Sequence, residues 1–210
     1  MHLRKFFRNL SITVIGGGTG LPVLLRGIKY LTKNITAVVT AADDGGSSGR
    51  LREELGIIPT GDLRNCLIAL ATTEPLMEKL FQYRFDGTGQ IAGHSVGNLL
   101  LAALTKIIGD VEIALKETSK VLAVRGKVLP STNEKINLVA KMADGSIVQG
   151  ESKIPLSGKK IESVYIEPSD AKALKSVINA IYTSDICILG PGSLYTSVLP
   201  NLLIKELAKA

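Results

Sequence analysis

The stretch "SITVIGGGTGLPVLLRGIKYL", Ser11 to Leu31, decides the fold class of this 210-residue chain. It opens with β-branched residues, stops at four glycines and a threonine, and continues with apolar residues at helical spacing. A second apolar run, "NITAVVTAA", follows at residues 34–42. This order of strand, helix and strand predicts a parallel βαβ unit, whose strands are apolar throughout because helices cover both faces of the sheet.

The rest of the chain continues the α/β pattern with one interruption. Residues 126–166 alternate and turn, which predicts an antiparallel β excursion with a hairpin closed at Asp144–Gly145. So short a segment does not hold a core alone, so we predict a single nucleotide-binding domain over residues 1–210. Its class is Rossmann-like, three-layer α/β/α, with a mostly parallel sheet. The predicted helices are "GDLRNCLIALAT", "PLMEKLFQYRF", the buried central "VGNLLLAALTKII", "VEIALKETSKVLA", "DAKALKSVINAIYTS" and the C-terminal segment after "GPGS".

Composition narrows the functional classes. The net charge of +6 is spread along the chain, and aromatic residues make up 4% with no Trp, so a small phosphorylated ligand is favoured over a nucleic acid. Cys66 and Cys187 lie in separate apolar runs, which predicts two buried free thiols in a reducing compartment. With no apolar run of membrane-spanning length and no signal-peptide pattern, we expect a cytoplasmic protein without a membrane span. A homodimer is compatible with the sequence.

The first glycine cluster does not fit a dinucleotide fingerprint. Of the two possible G-x-G-x-x-G frames, one reaches Leu21 and the other Val23 where the third glycine belongs. What remains is a tight turn between strand and helix, which exposes backbone N–H groups to a phosphate or carboxylate. The alternative is a turn that needs glycine only for its backbone angles.

Two further segments place charged residues near helix starts. In "ADDGGSSGRLREE", Asp43 and Asp44 can bind sugar hydroxyls or hold Mg²⁺ against a phosphate, and Arg50 can bind the phosphate itself. Turn formation or helix capping is the competing interpretation for the aspartates. "PTGDLRNCL" adds Asp62, Arg64 and Asn65 at another helix start as possible additional ligand-binding residues. The competing interpretation is an N-cap at Asp62 with solvated neighbours.

The last two polar segments carry a histidine and a second glycine loop. His94 in "GHSVGNLLL" is a site residue or a satisfied structural histidine, and Ser95 is a nucleophile only if His94 is positioned to activate it. "LGPGSLYTSVLPNLL" offers backbone amides and hydroxyls but no Lys-Ser/Thr ending of a P-loop, which favours a cradle for a phosphate or sugar. The two glycine loops and the aspartate pair follow predicted strands, so we expect them to converge at one sheet edge, which suits a nucleotide with an attached group, such as a diphosphate sugar.

In combination, five segments resemble the gluconeogenesis-factor family, the YvcK proteins, within the wider group that includes the CofD 2-phospho-L-lactate transferases. The resemblance covers nearly all of the chain, and its motifs are specific. The segments are "GGGTGLPVLLRG", "ADDGGSSGRLR", "GDLRNCLIAL", "GHSVGNLLLAAL" and "LGPGSLYTSVLPNLL".

The resemblance implies a Rossmann-like cytoplasmic regulator that binds UDP-sugars, typified by UDP-N-acetylglucosamine, and supports cell shape and growth on gluconeogenic carbon sources. It implies no catalytic residue, no metal and no certain cofactor. The alternative is a CofD-like transferase that uses a guanylylated donor and Mg²⁺. Family members usually continue past the last glycine loop, so the resemblance also implies that the C-terminal part of the family domain is absent. The implied ligand-binding residues are Gly17, Gly18, Thr19, Gly20, Asp43, Asp44, Asn98, Gly192, Ser193 and Leu194.

Overall fold

A computed structural model describes residues 8–72 and 75–210 of the chain. Its strands and helices form an α/β fold, as the sequence predicts. The strands are β1 (Ile12–Gly16), β2 (Ile35–Val39), β3 (Lys127–Pro130), β4 (Asn137–Met142), β5 (Ile147–Gln149), β6 (Ile161–Glu167) and β7 (Ile186–Leu189). The helices are α1 (Gly20–Ile28), α2 (Gly46–Leu55), α3 (Gly61–Leu70), α4 (Pro75–Gln82), α5 (Val96–Ile108), α6 (Val111–Val121), α7 (Lys153–Leu156), α8 (Lys175–Tyr182), a π-helix (Leu194–Val198), α9 (Leu199–Leu202) and α10 (Lys205–Lys209).

Four strands form the parallel sheet in the order β3-β2-β1-β7. Val14 and Ala37 pack with α1, α3 and α6 on one face, and Ile15 and Val38 pack with β4, α8 and α10 on the other. Both faces of β1 and β2 are therefore covered, which explains why these strands are apolar throughout. From β1 the chain passes to β2, which lies on one side of β1, whereas β7 lies on the other side of β1. The carboxyl ends of β1 and β7 thus form a topological switch point, the usual ligand edge of such a sheet.

The antiparallel β excursion is confirmed in outline. Strands β5, β4 and β6 form a separate three-stranded sheet, and the β4–β5 hairpin turns at Asp144 and Gly145, whose φ of 83° favours glycine. The predicted start at residue 126 is too early, because β3 pairs in parallel with β2 and belongs to the main sheet. Ile166 and Met142 pack this small sheet onto the main core.

Two expectations about helices and burial are wrong. Helix α5 is buried on one face only, since Leu100 is 40% and Ile107 79% exposed. Cys187 is exposed because it lies on β7, which has no neighbour on its outer side in the described chain. The segment after the second glycine loop is helical as predicted, but it begins as a π-helix and continues as two short α-helices. Among the described residues, no helix has the length and apolar character to cross a membrane.

Candidate functional site

The two glycine loops touch at the carboxyl ends of β1 and β7. A Cβ atom added at Gly20 would lie 3.2 Å from the carbonyl carbon of Pro191, and one added at Gly192 would lie 3.2 Å from the carbonyl oxygen of Gly17. Side chains at these positions would push the loops apart. Gly18 has a φ of 64°, which turns the chain into α1. The structure therefore joins the first and last predicted segments into one continuous surface, hereafter the cradle, made of residues 17–20 and 190–197.

The cradle presents donors for an anion. The first-turn amides of α1 have no partner within the helix, and its N-cap, Thr19, is exposed and makes no side-chain cap. Ser193 accepts from the amide of Thr196 at 3.3 Å and begins the π-helix, while Leu194 is exposed beside it. The Ser197 hydroxyl lies 3.2 Å from the position of a Cβ on Gly18. This mixture of amides and hydroxyls suits phosphate or sugar oxygens.

Asp62 already accepts a hydrogen bond from one backbone amide of the first glycine loop. Its Oδ2 accepts a hydrogen bond from the Gly18 amide, and the N-cap of α3 is Thr60. The prediction that Asp62 caps its own helix is therefore wrong, because the carboxylate crosses to β1's loop instead. Burial raises the pKa of Asp62, an effect that the Gly18 bond partly opposes. A carboxylate bound to a loop amide is direct structural support for an anion-binding turn.

The predicted aspartate pair lies beside Asp62. Asp43 accepts from the Gly45 amide at 2.9 Å, the Asx turn that was one of its two interpretations, and Asp44 accepts from the Ser152 amide at 2.9 Å. Glu151, which the sequence analysis did not select, joins them from the β5–α7 connection and contacts the Thr196 hydroxyl. Burial raises the pKa of Asp43 and of Glu151, and the neighbouring carboxylates raise both further. These carboxylates at the edge of the cradle therefore become protonated at a higher pH than exposed carboxylates.

The carboxylates do not form a metal centre. In residues 8–72 and 75–210, no group of three or more His, Cys, Asp or Glu side chains could hold a metal ion. One oxygen of each of Asp43, Asp44 and Asp62 already accepts a backbone N–H. Mg²⁺ is usually held by one or two carboxylates together with ligand phosphates, so the Mg²⁺ of the CofD-like alternative stays a prediction.

A buried polar network extends below the cradle at the start of α2 and α5. The Ser47 Oγ lies 2.9 Å from His94 Nδ1 and accepts from Asn98 Nδ2 at 3.0 Å. Burial, with a smaller contribution from Arg50, lowers the pKa of His94. His94 is therefore paired with Ser47 and not with Ser95. Ser95 instead caps α5 by accepting from the Asn98 amide at 3.2 Å.

Of the three other predicted polar residues, Arg50 and Arg64 bind groups outside the cradle, whereas Asn65 lies next to Thr19. Arg50 donates to the carbonyl oxygen of Ala92 at 2.5 Å, so its guanidinium stabilises the loop that contains Ala92, outside the cradle. Arg64 is buried, donates to Ser95 and to Asn65 Oδ1, and has its pKa lowered to about 10 by burial. Asn65 and Thr19 share a cleft of about 320 Å³ next to the cradle.

Two buried residues hold these parts together through contacts that sequence reasoning missed. Arg52 is 1% exposed and donates to the Ile136 carbonyl and to Asn137 Oδ1, both at 2.6 Å. Asn201 donates to the Gly16 carbonyl at 3.3 Å and thereby ties α9 to the first glycine loop. Their partners lie 84 to 185 positions away along the chain, and no local sequence signal indicates such contacts.

Comparison with known proteins agrees with this architecture. Residues 12–210 match the sequence profile of the family described as 2-phospho-L-lactate transferase CofD. The chain is 57% identical to a gluconeogenesis factor of Halalkalibacterium halodurans over 95% of its length, and 55% identical to that of Bacillus subtilis. It covers 62% and 63% of those relatives, so it spans less than two thirds of their length. A crystal structure of a Bacillus halodurans protein superposes with a TM-score of 0.93 at 56% identity, over 96% of this chain and 65% of that one.

Proposed function

Because this chain belongs to the CofD family and, within it, groups with the gluconeogenesis factors, we propose that it binds a nucleotide sugar in the cradle and acts as a regulator without turnover. The ligand class is a UDP-sugar, typified by UDP-N-acetylglucosamine. The observation that carries the proposal is the contact between the two glycine loops at the β1/β7 switch point, where Asp62 already accepts the Gly18 amide.

The diphosphate and the sugar of a nucleotide sugar have counterparts in the cradle and at its edge. The diphosphate would take the amides at the start of α1 and the hydroxyls of Thr19 and Ser197. Sugar hydroxyls would donate to the second oxygens of Asp43 and Asp44, because only one oxygen of each binds a backbone amide. Binding of this kind needs no metal and no nucleophile.

The family profile favours a second function, a metal-dependent transfer of a phosphorylated group from a guanylylated donor. That reaction requires one or two of the aspartates to hold Mg²⁺ together with the phosphates of the donor. The two functions predict different metal requirements, so one experiment separates them.

Thermal-shift and calorimetric titrations with UDP-N-acetylglucosamine, GDP and NADH, each with and without Mg²⁺, test the proposal. We expect stabilisation by the UDP-sugar in the absence of metal. Stabilisation by GDP only when Mg²⁺ is present would support the transferase instead, and a response to NADH alone would contradict both.

The Thr19 hydroxyl provides a variant that separates binding from folding. Thr19 is exposed and makes no cap, so Thr19→Val should leave the melting temperature unchanged and weaken UDP-sugar binding by about tenfold, the effect of one lost hydrogen bond to a charged group. Thr88→Val, an exposed threonine in a loop outside the cradle, is the matched control. If the two variants bind the UDP-sugar with equal affinity, the Thr19 hydroxyl does not contact the ligand.

We propose the regulatory role in cells for a protein of the relatives' length, in which the region that matches this chain would bind the nucleotide sugar. A chimera in which this chain replaces the matching region of the Bacillus subtilis relative should restore normal cell shape and growth on a gluconeogenic carbon source in a strain that lacks the relative. A folded chimera that binds the UDP-sugar but restores neither property would refute the role while leaving the binding function intact.

A further inference from the structure

A second cavity lies at the end of the parallel sheet opposite the cradle. It measures about 630 Å³ and is lined by Ser11, Asn34 and Gly126, which directly precede β1, β2 and β3. The cradle follows the other ends of β1 and β7, so the two features are separated by the length of the strands. A volume between about 300 and 1,000 Å³ is typical of pockets for small molecules.

The charges around this cavity favour an anion. Lys33, Lys116 and Lys127 line it, and Glu112 is the single carboxylate among its lining residues. In the part of the chain that the structure describes, none of the three lysines forms an ion pair. The lining therefore carries an excess of two positive charges, which matches the charge of a phosphate monoester near neutral pH.

The neutral polar groups of the cavity favour a ligand with several hydroxyls. The Ser176 Oγ is buried and has no hydrogen-bond partner among the described residues, a condition that costs free energy unless a ligand or water pairs with it. Ser119 donates its hydroxyl proton to the Leu115 carbonyl at 2.7 Å, and Thr183 donates to the Asn179 carbonyl at 2.8 Å. Both oxygens are left as acceptors, so a ligand must bring donors to them.

The floor of the cavity is apolar. Ile35, Val128 and Leu129 contribute to its lining next to the lysines. A carbon skeleton or the face of a sugar ring can pack on such a surface while its substituents reach the polar groups. Inorganic phosphate would use the lysines and leave the floor and the hydroxyl acceptors unpaired.

From these four properties we propose that the cavity is a second ligand site, which binds a small phosphorylated sugar or polyol. The lysines hold the phosphate, Ser176 pairs with a ligand oxygen, and Ser119 and Thr183 accept from ligand hydroxyls. The site is independent of the cradle, so it stands whether or not the cradle binds a nucleotide sugar.

Calorimetric titration with glucose 6-phosphate, and separately with glucose and with inorganic phosphate, tests the assignment. We expect glucose 6-phosphate to bind more tightly than either component. Lys116→Glu should weaken its binding roughly tenfold or more, because an attractive charge becomes a repulsive one. Ser176→Ala should weaken binding of the sugar phosphate but leave inorganic phosphate unaffected.

Matched variants keep the test specific. Lys175→Glu changes an exposed lysine on α8 that does not line the cavity, and it should bind the sugar phosphate like the unmodified chain. Thr19→Val should do the same, which separates this site from the cradle. Equal binding of glucose 6-phosphate and inorganic phosphate would mean an adventitious ion only, and unchanged affinity in a folded Lys116→Glu variant would also overturn the proposal.

Discussion

Replacing Asp62 with asparagine tests whether the cradle is an anion site. In the structure, the Asp62 carboxylate accepts the Gly18 amide at the point where a ligand phosphate would approach. An asparagine side chain has the same size, and its amide oxygen can still accept this hydrogen bond. Asp62→Asn therefore removes one negative charge and keeps the contact. Because burial disfavours the charged carboxylate, the variant should be at least as stable as the unmodified chain.

The expected gain in affinity follows from the charge repulsion that the variant removes. A phosphate bound by the neighbouring amides of the same turn would lie roughly 6 Å from the Asp62 carboxylate, where two unit charges repel by about 3 kcal/mol at an effective dielectric constant of about 20. Partial exposure and salt reduce this to about 1–2 kcal/mol. Asp62→Asn should therefore bind UDP-N-acetylglucosamine about 5- to 30-fold more tightly.

Isothermal titration of both proteins at neutral pH and low salt measures this difference. Asp170→Asn, which removes an exposed carboxylate outside the cradle, is the control and should leave the affinity unchanged. Weaker binding by a folded Asp62→Asn variant would refute the reasoning, because it would mean that the carboxylate binds the ligand and does not oppose it. A gain that persists undiminished at high salt would also contradict an electrostatic origin.

Three further predictions concern stability and pH. Gly17→Ala places a Cβ 2.5 Å from a neighbouring threonine methyl carbon. It should lower the unfolding free energy by about 1–3 kcal/mol, measured by urea titration. Gly27→Ala, which has open space around it, is the control and should raise stability slightly. Arg52→Ala breaks two buried hydrogen bonds and should cost about 3 kcal/mol or more by the same assay, with exposed Arg50→Ala losing far less. Burial lowers the pKa of His94 below 6.5, so the stability of the fold should fall as the pH drops below 6.5. His94→Gln should flatten this dependence of the melting temperature on pH. Identical pH profiles of the two proteins would contradict a buried, neutral His94.

A fourth prediction uses the carboxylates at the edge of the cradle. Burial raises the pKa values of Asp43, Asp62 and Glu151 above the ordinary values of 3.8 and 4.5. A bound diphosphate would raise them further, so binding should take up protons and affinity should increase as the pH falls toward these pKa values. Titrations in buffers of different ionisation enthalpy measure the uptake, and affinity independent of pH would exclude the coupling.

Local sequence patterns predict much of the fold. The glycine cluster after "SITVIG" correctly marks the end of β1 and the start of α1, and Asp144–Gly145 correctly marks the β4–β5 hairpin. These features depend on the backbone preferences of a few adjacent residues, which a single sequence displays. The exposure of Cys187 depends instead on the position of β7 in the sheet, and strand order is not a local property.

The candidate site shows the same division. The two loops that form the cradle are visible as glycine clusters, and the βαβ pattern places them at one edge. The partners of individual side chains are not visible in this way. Asp62 has the position of a helix cap but binds Gly18, 44 residues away, and Glu151 reaches the site from the antiparallel excursion. Each of these contacts results from packing between distant segments, so the structure was needed to find them.

The most direct test of the central claim is an NMR titration of the ¹⁵N-labelled chain with UDP-N-acetylglucosamine in the absence of divalent metal. We predict saturable shifts of the amide signals of Gly18, Gly20 and Gly192, with the signals of Asn34 and Gly126 at the opposite end of the sheet unchanged. Shifts confined to that opposite end, or no shift at millimolar ligand in a folded sample, would contradict a nucleotide-sugar site in the cradle.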